Sequence, residues 1–175
     1  VKSRIPIEIV VAVLAAISCL VTLPQLGLPV WALFIAWAWY FALGATPAVF
    51  KSVYPAAFAG AVLAAACIWL IGAFMGIMSL MPAMMLAVFI TVLLLMLVLR
   101  LPVTSCGLAA FNGYSCVFAT YYGGFFHKTG SAEMDILIAF GFSIAANLLG
   151  PVFGYLSIYF TFPRQEEKKA EDPGM

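Results

Sequence analysis

Charge is what this chain has least of. Only 9% of its 175 residues are Asp, Glu, Lys or Arg, against about 25% in a soluble domain. The net charge is +1 and no cluster of Lys and Arg is present. A nucleic-acid partner needs a basic stripe to follow phosphates, so that class is excluded. There is one histidine, and the four cysteines (Cys19, Cys67, Cys106, Cys116) form no C-x-x-C pair. Metal and redox centres are therefore not expected, and no cofactor is called for. All four cysteines fall in apolar stretches, where a free thiol behaves as a small buried hydrophobe. No Ser-His-Asp set or H-E-x-x-H motif is present, so the chain is not read as an enzyme. No charged residue falls at the centre of an apolar run, and Glu8 comes closest, in a first helical turn. Ion-coupled pumps usually place a charge at depth.

What remains is apolar. The hydrophobic share is 66% and the mean hydropathy is +1.14. Pro and Gly cut the chain into six stretches, near Ile7–Leu23, Leu28–Thr46, Pro55–Met75, Met81–Leu99, Val103–Gly124 and Ile136–Phe162. A hydrocarbon core of roughly 30 Å needs about 20 helical residues. The expected fold class is an all-α, polytopic transmembrane helix bundle of six spans. Residues 1–163 form the helical domain, with Ile7–Leu23 read as a retained first span. Residues 164–175 form a tail of mixed charge, poor in apolar groups and expected to be disordered.

Charges between the spans predict orientation. With six spans, Lys2, Arg4, Lys51, Arg100, Arg164, Lys168 and Lys169 share one side, and Lys128 stands alone on the other. Lys and Arg favour the cytoplasmic side, so both termini are expected there. A faint repeat is also visible. Leu28-Pro29-Val30 and Leu101-Pro102-Val103 each open an aromatic, small-residue segment followed by a lysine, at an offset of about 73 to 80 residues. Three spans per copy would invert the second copy, giving the 3+3 inverted repeat familiar in transporters; chance likeness of two aromatic-small helices is the alternative.

Small residues four apart let helix backbones approach. Ala56, Gly60 and Ala64, then Gly72 and Gly76, mark the third span. Gly107 and Gly113 mark the fifth, and Ser143, Asn147, Gly150 and Gly154 the sixth. The bulky fourth span is expected to face lipid or another subunit. Pro151 is expected to kink the sixth.

Polar groups inside apolar spans are the functional pointers. Asn112 and Asn147 are the two amides, and Tyr114, Ser115 and Thr120 add hydroxyls along the fifth span. Each asparagine admits two readings, an interhelical hydrogen bond or a lining group in a polar path. The hydroxyls around Asn112 favour the path. Trp31 and Tyr40 suit an interfacial belt, whereas Trp37 lies nearer the middle and could stack on a solute. His127 lies in an outer loop with Lys128, Glu133 and Asp135; it is read as a solvated side chain or a pH gate.

The pattern Trp31, Trp37-Ala38, Tyr40-Phe41-Ala42, Gly44-Ala45, then Phe50-Lys51 and Ala59-Gly60 with Ala64, continues into Gly113-Tyr114-Ser115-Cys116-Val117-Phe118-Ala119-Thr120. It resembles the small bacterial inner-membrane proteins grouped as domain of unknown function 1097. The resemblance implies an inner-membrane location and carries no activity. The segment Gly107–Tyr114 is similar to the glycine-asparagine segment of urea transporters. The expected function is a channel or facilitator for a small polar uncharged solute, urea- or amide-like, whose path includes Asn112, Tyr114, Ser115, Asn147, Trp37 and Thr120. An ion-coupled secondary transporter and a non-transporting structural membrane protein are the alternatives. The expected partners are the lipid bilayer, the solute and a second copy of the chain in a homo-oligomer.

Overall fold

The computed structural model describes residues 5–161. The expected tail, and Lys2, Arg4, Arg164, Lys168 and Lys169 from the charge count, lie outside the described residues. Six α-helices form a bundle, with no strand among the described residues. They are α1 (Ile7–Ser18), continued by a 3₁₀ turn over Cys19–Thr22, α2 (Val30–Ala42), α3 (Val49–Phe74), α4 (Leu80–Val98), α5 (Gly107–Gly123) and α6 (Ala132–Thr161). Helices α3, α4 and α6 are long and apolar enough to cross a membrane, and the chain is a membrane protein in this sense. The other three are shorter. The 13 residues of α2 rise only about 20 Å, so its flanking turns must complete any crossing.

Several boundaries differ from the sequence expectation, each for a local reason. Helix α3 starts at Val49, and Pro55 sits inside it. A proline near a helix start forfeits a single hydrogen bond. Helix α5 starts at Gly107 because Pro102–Thr104 forms a separate 3₁₀ turn. It ends where Gly124 takes φ +70, the left-handed geometry of a helix stop. Helix α6 continues without a break through Pro151.

Side-chain contacts at the two ends give the sidedness. The Trp31 ring meets Phe125 edge-on at 5.9 Å, and Gly72 and Ala73 share a groove with Tyr121 and Glu133. The turns after α1, α3 and α5 therefore lie at one end. At the other, Phe50 meets Tyr155 at 6.2 Å, and Phe160 lies beside Ile5 and Ile9. Lys51 and Arg100 belong to this second end and Lys128 to the first, as the alternating topology requires.

Close backbone approach holds the bundle together. In lipid there is no hydrophobic drive between helices, so packing and hydrogen bonds do this work. The most extensive helix pairs are α3 with α5 and α2 with α6. A Cβ on Gly60 would collide with the Ala110 carbonyl, and one on Gly113 with the Ala57 carbonyl. On the other pair, a Cβ on Gly150 would lie 2.5 Å from the Leu33 oxygen, and one on Gly154 2.5 Å from the Tyr40 ring. Tyr40 is consequently core, at 0% exposure, rather than part of an interfacial belt. Gly72 has open space around it, so that part of the small-residue row does not pack. Helix α4 buries one row, Ala83, Ala87, Thr91 and Leu95, and turns Met85, Phe89, Leu93 and Met96 outward. Of the cysteines, Cys67 and Cys116 are buried, whereas Cys19 is exposed and Cys106 half-buried.

Candidate functional site

Polar side chains gather where α5 meets α6. Residues 112, 116 and 120 are four apart and share one face of α5; 143 and 147 do the same on α6. Asn112 Nδ2 donates to Asn147 Oδ1 at 2.6 Å. Asn147 Nδ2 donates to the Ser143 carbonyl at 2.9 Å. The Cys116 thiol donates to Asn112 Oδ1 at 3.3 Å. Thr120 Oγ1 donates to the Cys116 carbonyl at 2.7 Å. Asn112, Cys116, Thr120, Ser143 and Asn147 are all buried. One N–H of the Asn112 amide is used on Asn147; among the described residues no acceptor takes the second.

Among the described residues, the remaining expected ones make no hydrogen bond into this seam, although Trp37 shares a buried apolar cluster with Cys116. Tyr114 points to α4, with its hydroxyl 2.8 Å from Thr91 Oγ1. Thr91 Oγ1 itself donates to the Ala87 carbonyl at 2.8 Å, so the Tyr114 hydroxyl is the donor between them. Trp37 is buried on α2, with ring centroids 6.1 Å from Phe34 and 5.6 Å from Phe153. Its indole nitrogen is buried without a partner, as are Trp31 Nε1, Trp39 Nε1, the Tyr40 hydroxyl and Ser143 Oγ. Ser115 is exposed on the outer face of α5.

Two open grooves flank that outer face. One, of about 370 Å³, is lined by Trp39, Gly107, Leu108, Phe111, Asn112 and Ser115, and lies between α2 and α5. The other, of about 560 Å³, lies between α4 and α5 and includes Met84, Val88, Tyr114, Ser115 and Tyr122. Asn112 thus belongs both to the buried seam and to a groove wall. Sequence reasoning gave Cys116, Ser143 and Trp39 no place among the site residues. A signal for Cys116 existed in its four-residue spacing from Asn112; none distinguished Trp39 from its aromatic neighbours.

The loop before α6 is separately built. Asp135 Oδ1 accepts from the Thr129 N–H at 2.7 Å and from Thr129 Oγ1 at 2.8 Å. His127 and Lys128 are exposed there. No group of three His, Cys, Asp or Glu side chains could hold a metal among the described residues.

Comparison with known proteins gives one relationship. The chain belongs to the family described as Protein of unknown function (DUF1097), whose family model matches residues 8–162. No curated protein and no solved structure matches it significantly.

Proposed function

We propose that this member of the family is a passive membrane facilitator for a small, polar, uncharged solute such as urea or another simple amide. The observation that carries the reading is Asn112, an amide buried among apolar helices that also forms part of a groove wall. Among the described residues, Asp, Glu, Lys and Arg within helices occur only near helix starts, at Glu8, Lys51, Glu133 and Asp135. Selectivity for neutral solutes comes from diameter and hydrogen-bonding groups, which is what this region offers. No catalytic constellation is present among the described residues, and we read the protein as a non-enzyme.

The helix pairing supports a 3+3 inverted repeat. Exchanging α1 with α4, α2 with α5 and α3 with α6 converts the α3–α5 pair into α6–α2, and the α3–α4 pair into α6–α1. All four pairs are present. The α2–α5 groove then falls at the repeat interface, where transporter folds place the solute. The α5–α6 pair that holds the two asparagines has no comparably extensive counterpart between α2 and α3, so the amide seam is particular to one half. The resemblance and the lysine and arginine asymmetry support a location in a bacterial inner membrane with both termini cytoplasmic. A homo-oligomer would shield the outer face of α5, where both grooves open.

Flux into proteoliposomes tests the function. The expected result is faster entry of one or more members of a panel of small amides, polyols and ammonia than in protein-free vesicles. Equal rates for every solute would end the reading and favour a structural role. Uptake that requires a proton or sodium gradient would replace it by coupled transport.

A further inference from the structure

We infer that the groove where α3, α5 and the start of α6 meet binds an organic ammonium cation, held by Trp69, Tyr121 and Glu133. The site shares no residue with the α2–α5 groove and does not depend on the facilitator reading.

The groove has a volume of about 340 Å³, at the small end of the range for ligand pockets, about 300–1,000 Å³. Two aromatic rings and a carboxylate line it together. Trp69 is 56% exposed, so its ring is within reach of a ligand. The Tyr121 ring is held by stacking on Phe126, with centroids 5.9 Å apart and planes at 11°. Gly72 keeps the space clear, because a Cβ there would meet nothing within 4 Å. Ile68 and Ile136, both buried, add apolar surface. Among the described residues, the exposed Glu133 carboxylate accepts no hydrogen bond and forms no ion pair. Asp135 in the same helical turn is by contrast engaged by the Thr129 N–H and hydroxyl. Lys128 lies over Gly124 and does not line the groove. Trp69 alone would suit an interfacial belt, and Glu133 alone the helix dipole. Neither role requires two rings and an unengaged carboxylate to line one groove kept open by a glycine.

That combination selects by chemistry. A cation over an aromatic face is attracted by the ring quadrupole, most strongly by tryptophan, and the carboxylate supplies the opposite charge. Alkyl groups on the nitrogen lose water against Trp69 and the isoleucines. A calcium or magnesium ion needs about six oxygen ligands, and this groove offers one carboxylate and one phenol. An anion would meet Glu133, and a neutral amide would leave its charge unanswered. The groove lies at the Lys128 end of the bundle, which the lysine and arginine asymmetry assigns to the outer side. The ammonium group therefore comes from external water or from the headgroup of an outer-leaflet lipid.

The full chain, purified in maltoside micelles, is titrated with tetramethylammonium chloride, and with sodium chloride at equal concentration, while tryptophan fluorescence is read. The expected result is a saturable change with tetramethylammonium that sodium does not reproduce. Glu133→Gln should raise the dissociation constant about five-fold, the upper range for an exposed charge pair. Gly72→Leu fills the groove and should abolish the change while keeping Trp69 as the reporter. A merely structural role for Glu133 at the helix start would move the melting temperature and leave the titration as it was. No saturable change, the same change with sodium, or an unaltered constant in Glu133→Gln overturns the inference. Short-chain lipids added to the micelles then identify the source. Competition by phosphatidylcholine and not by phosphatidylglycerol assigns a lipid headgroup, and competition by neither assigns a free ammonium ion.

Discussion

Asn112 on α5 and Asn147 on α6 are joined by an N–H···O hydrogen bond of 2.6 Å in the apolar interior of the bundle. Each amide also has a second contact, Asn112 with the Cys116 thiol and Asn147 with the Ser143 carbonyl. The pair does the packing work of an interhelical bond, and Asn112 still contributes to a groove wall. The two roles predicted for these asparagines are therefore compatible in geometry, and only measurement of both separates them.

Asn112→Leu is the first such measurement. The change removes donor and acceptor together and leaves the helix apolar. Interhelical hydrogen bonds in membranes average about 0.6 kcal/mol and reach about 1.7, so a modest fall in melting temperature is expected. Solute flux should fall far more steeply. Normal flux alongside reduced stability would remove Asn112 from the solute path. A double-mutant cycle with Asn147→Ala would give the coupling energy, expected in the same range.

Glycine replacements test the packing. Gly60→Ala drives a methyl group into the Ala110 carbonyl, an atom that moves only if α3 or α5 moves. Gly72→Ala in the same helix meets nothing within 4 Å. Alanine is favoured over glycine in a helix by up to about 1 kcal/mol. Gly60→Ala should lower the melting temperature in detergent sharply, and Gly72→Ala should hold or raise it. Equal behaviour of the two variants would show that the α3–α5 approach is not the structural determinant described here.

The six helices were legible because apolar runs broken by Pro and Gly leave few alternatives, and because Gly60, Gly113 and Gly150 sit in small-residue contexts that imply close approach. Boundaries were less legible. Pro55 was read as the start of the third span, yet it sits inside a helix that begins at Val49, and Pro151 lies within a continuous α6. The site was legible only in part. Asn112 and Asn147 stood out as rare amides, but their pairing depends on how α5 and α6 are rotated about their axes. Tyr40 and Trp39 are near neighbours in one aromatic segment. One faces α6 and is fully buried, and the other faces a groove. Composition does not separate them, because each position on α2 is apolar or aromatic and the helix has no polar face to orient it.

Topology can be read chemically. Arg100 and Lys128 fall at opposite ends of the bundle. In a background with Cys19, Cys67, Cys106 and Cys116 replaced, Arg100→Cys and Lys128→Cys should react with a membrane-impermeant maleimide from opposite sides. In oriented cells Lys128→Cys should label from outside, and Arg100→Cys only after the membrane is opened. The reverse pattern would invert the orientation inferred from the charge asymmetry without changing the fold.

The Tyr114–Thr91 contact yields a prediction with an unequal outcome for its two partners. Thr91 donates to Ala87 and accepts from Tyr114. In Tyr114→Phe, Thr91 keeps its own donation, and no buried donor is left without an acceptor. In Thr91→Val, the Tyr114 hydroxyl loses its acceptor within a residue only 8% exposed. Cys67 lies beside it, fully buried on α3, and offers only a weak sulfur acceptor. An orphaned buried donor costs about 1–3 kcal/mol, against about 1 for simple loss of a bond. Thr91→Val should therefore destabilise more than Tyr114→Phe. Adding Tyr114→Phe to Thr91→Val removes the orphan, so the double variant should be more stable than Thr91→Val alone. Thermal or denaturant unfolding of the three purified variants checks the order. If the double variant is the least stable of the three, the donor assignment is wrong, because the Tyr114 hydroxyl then stabilises the bundle even without Thr91 as its acceptor.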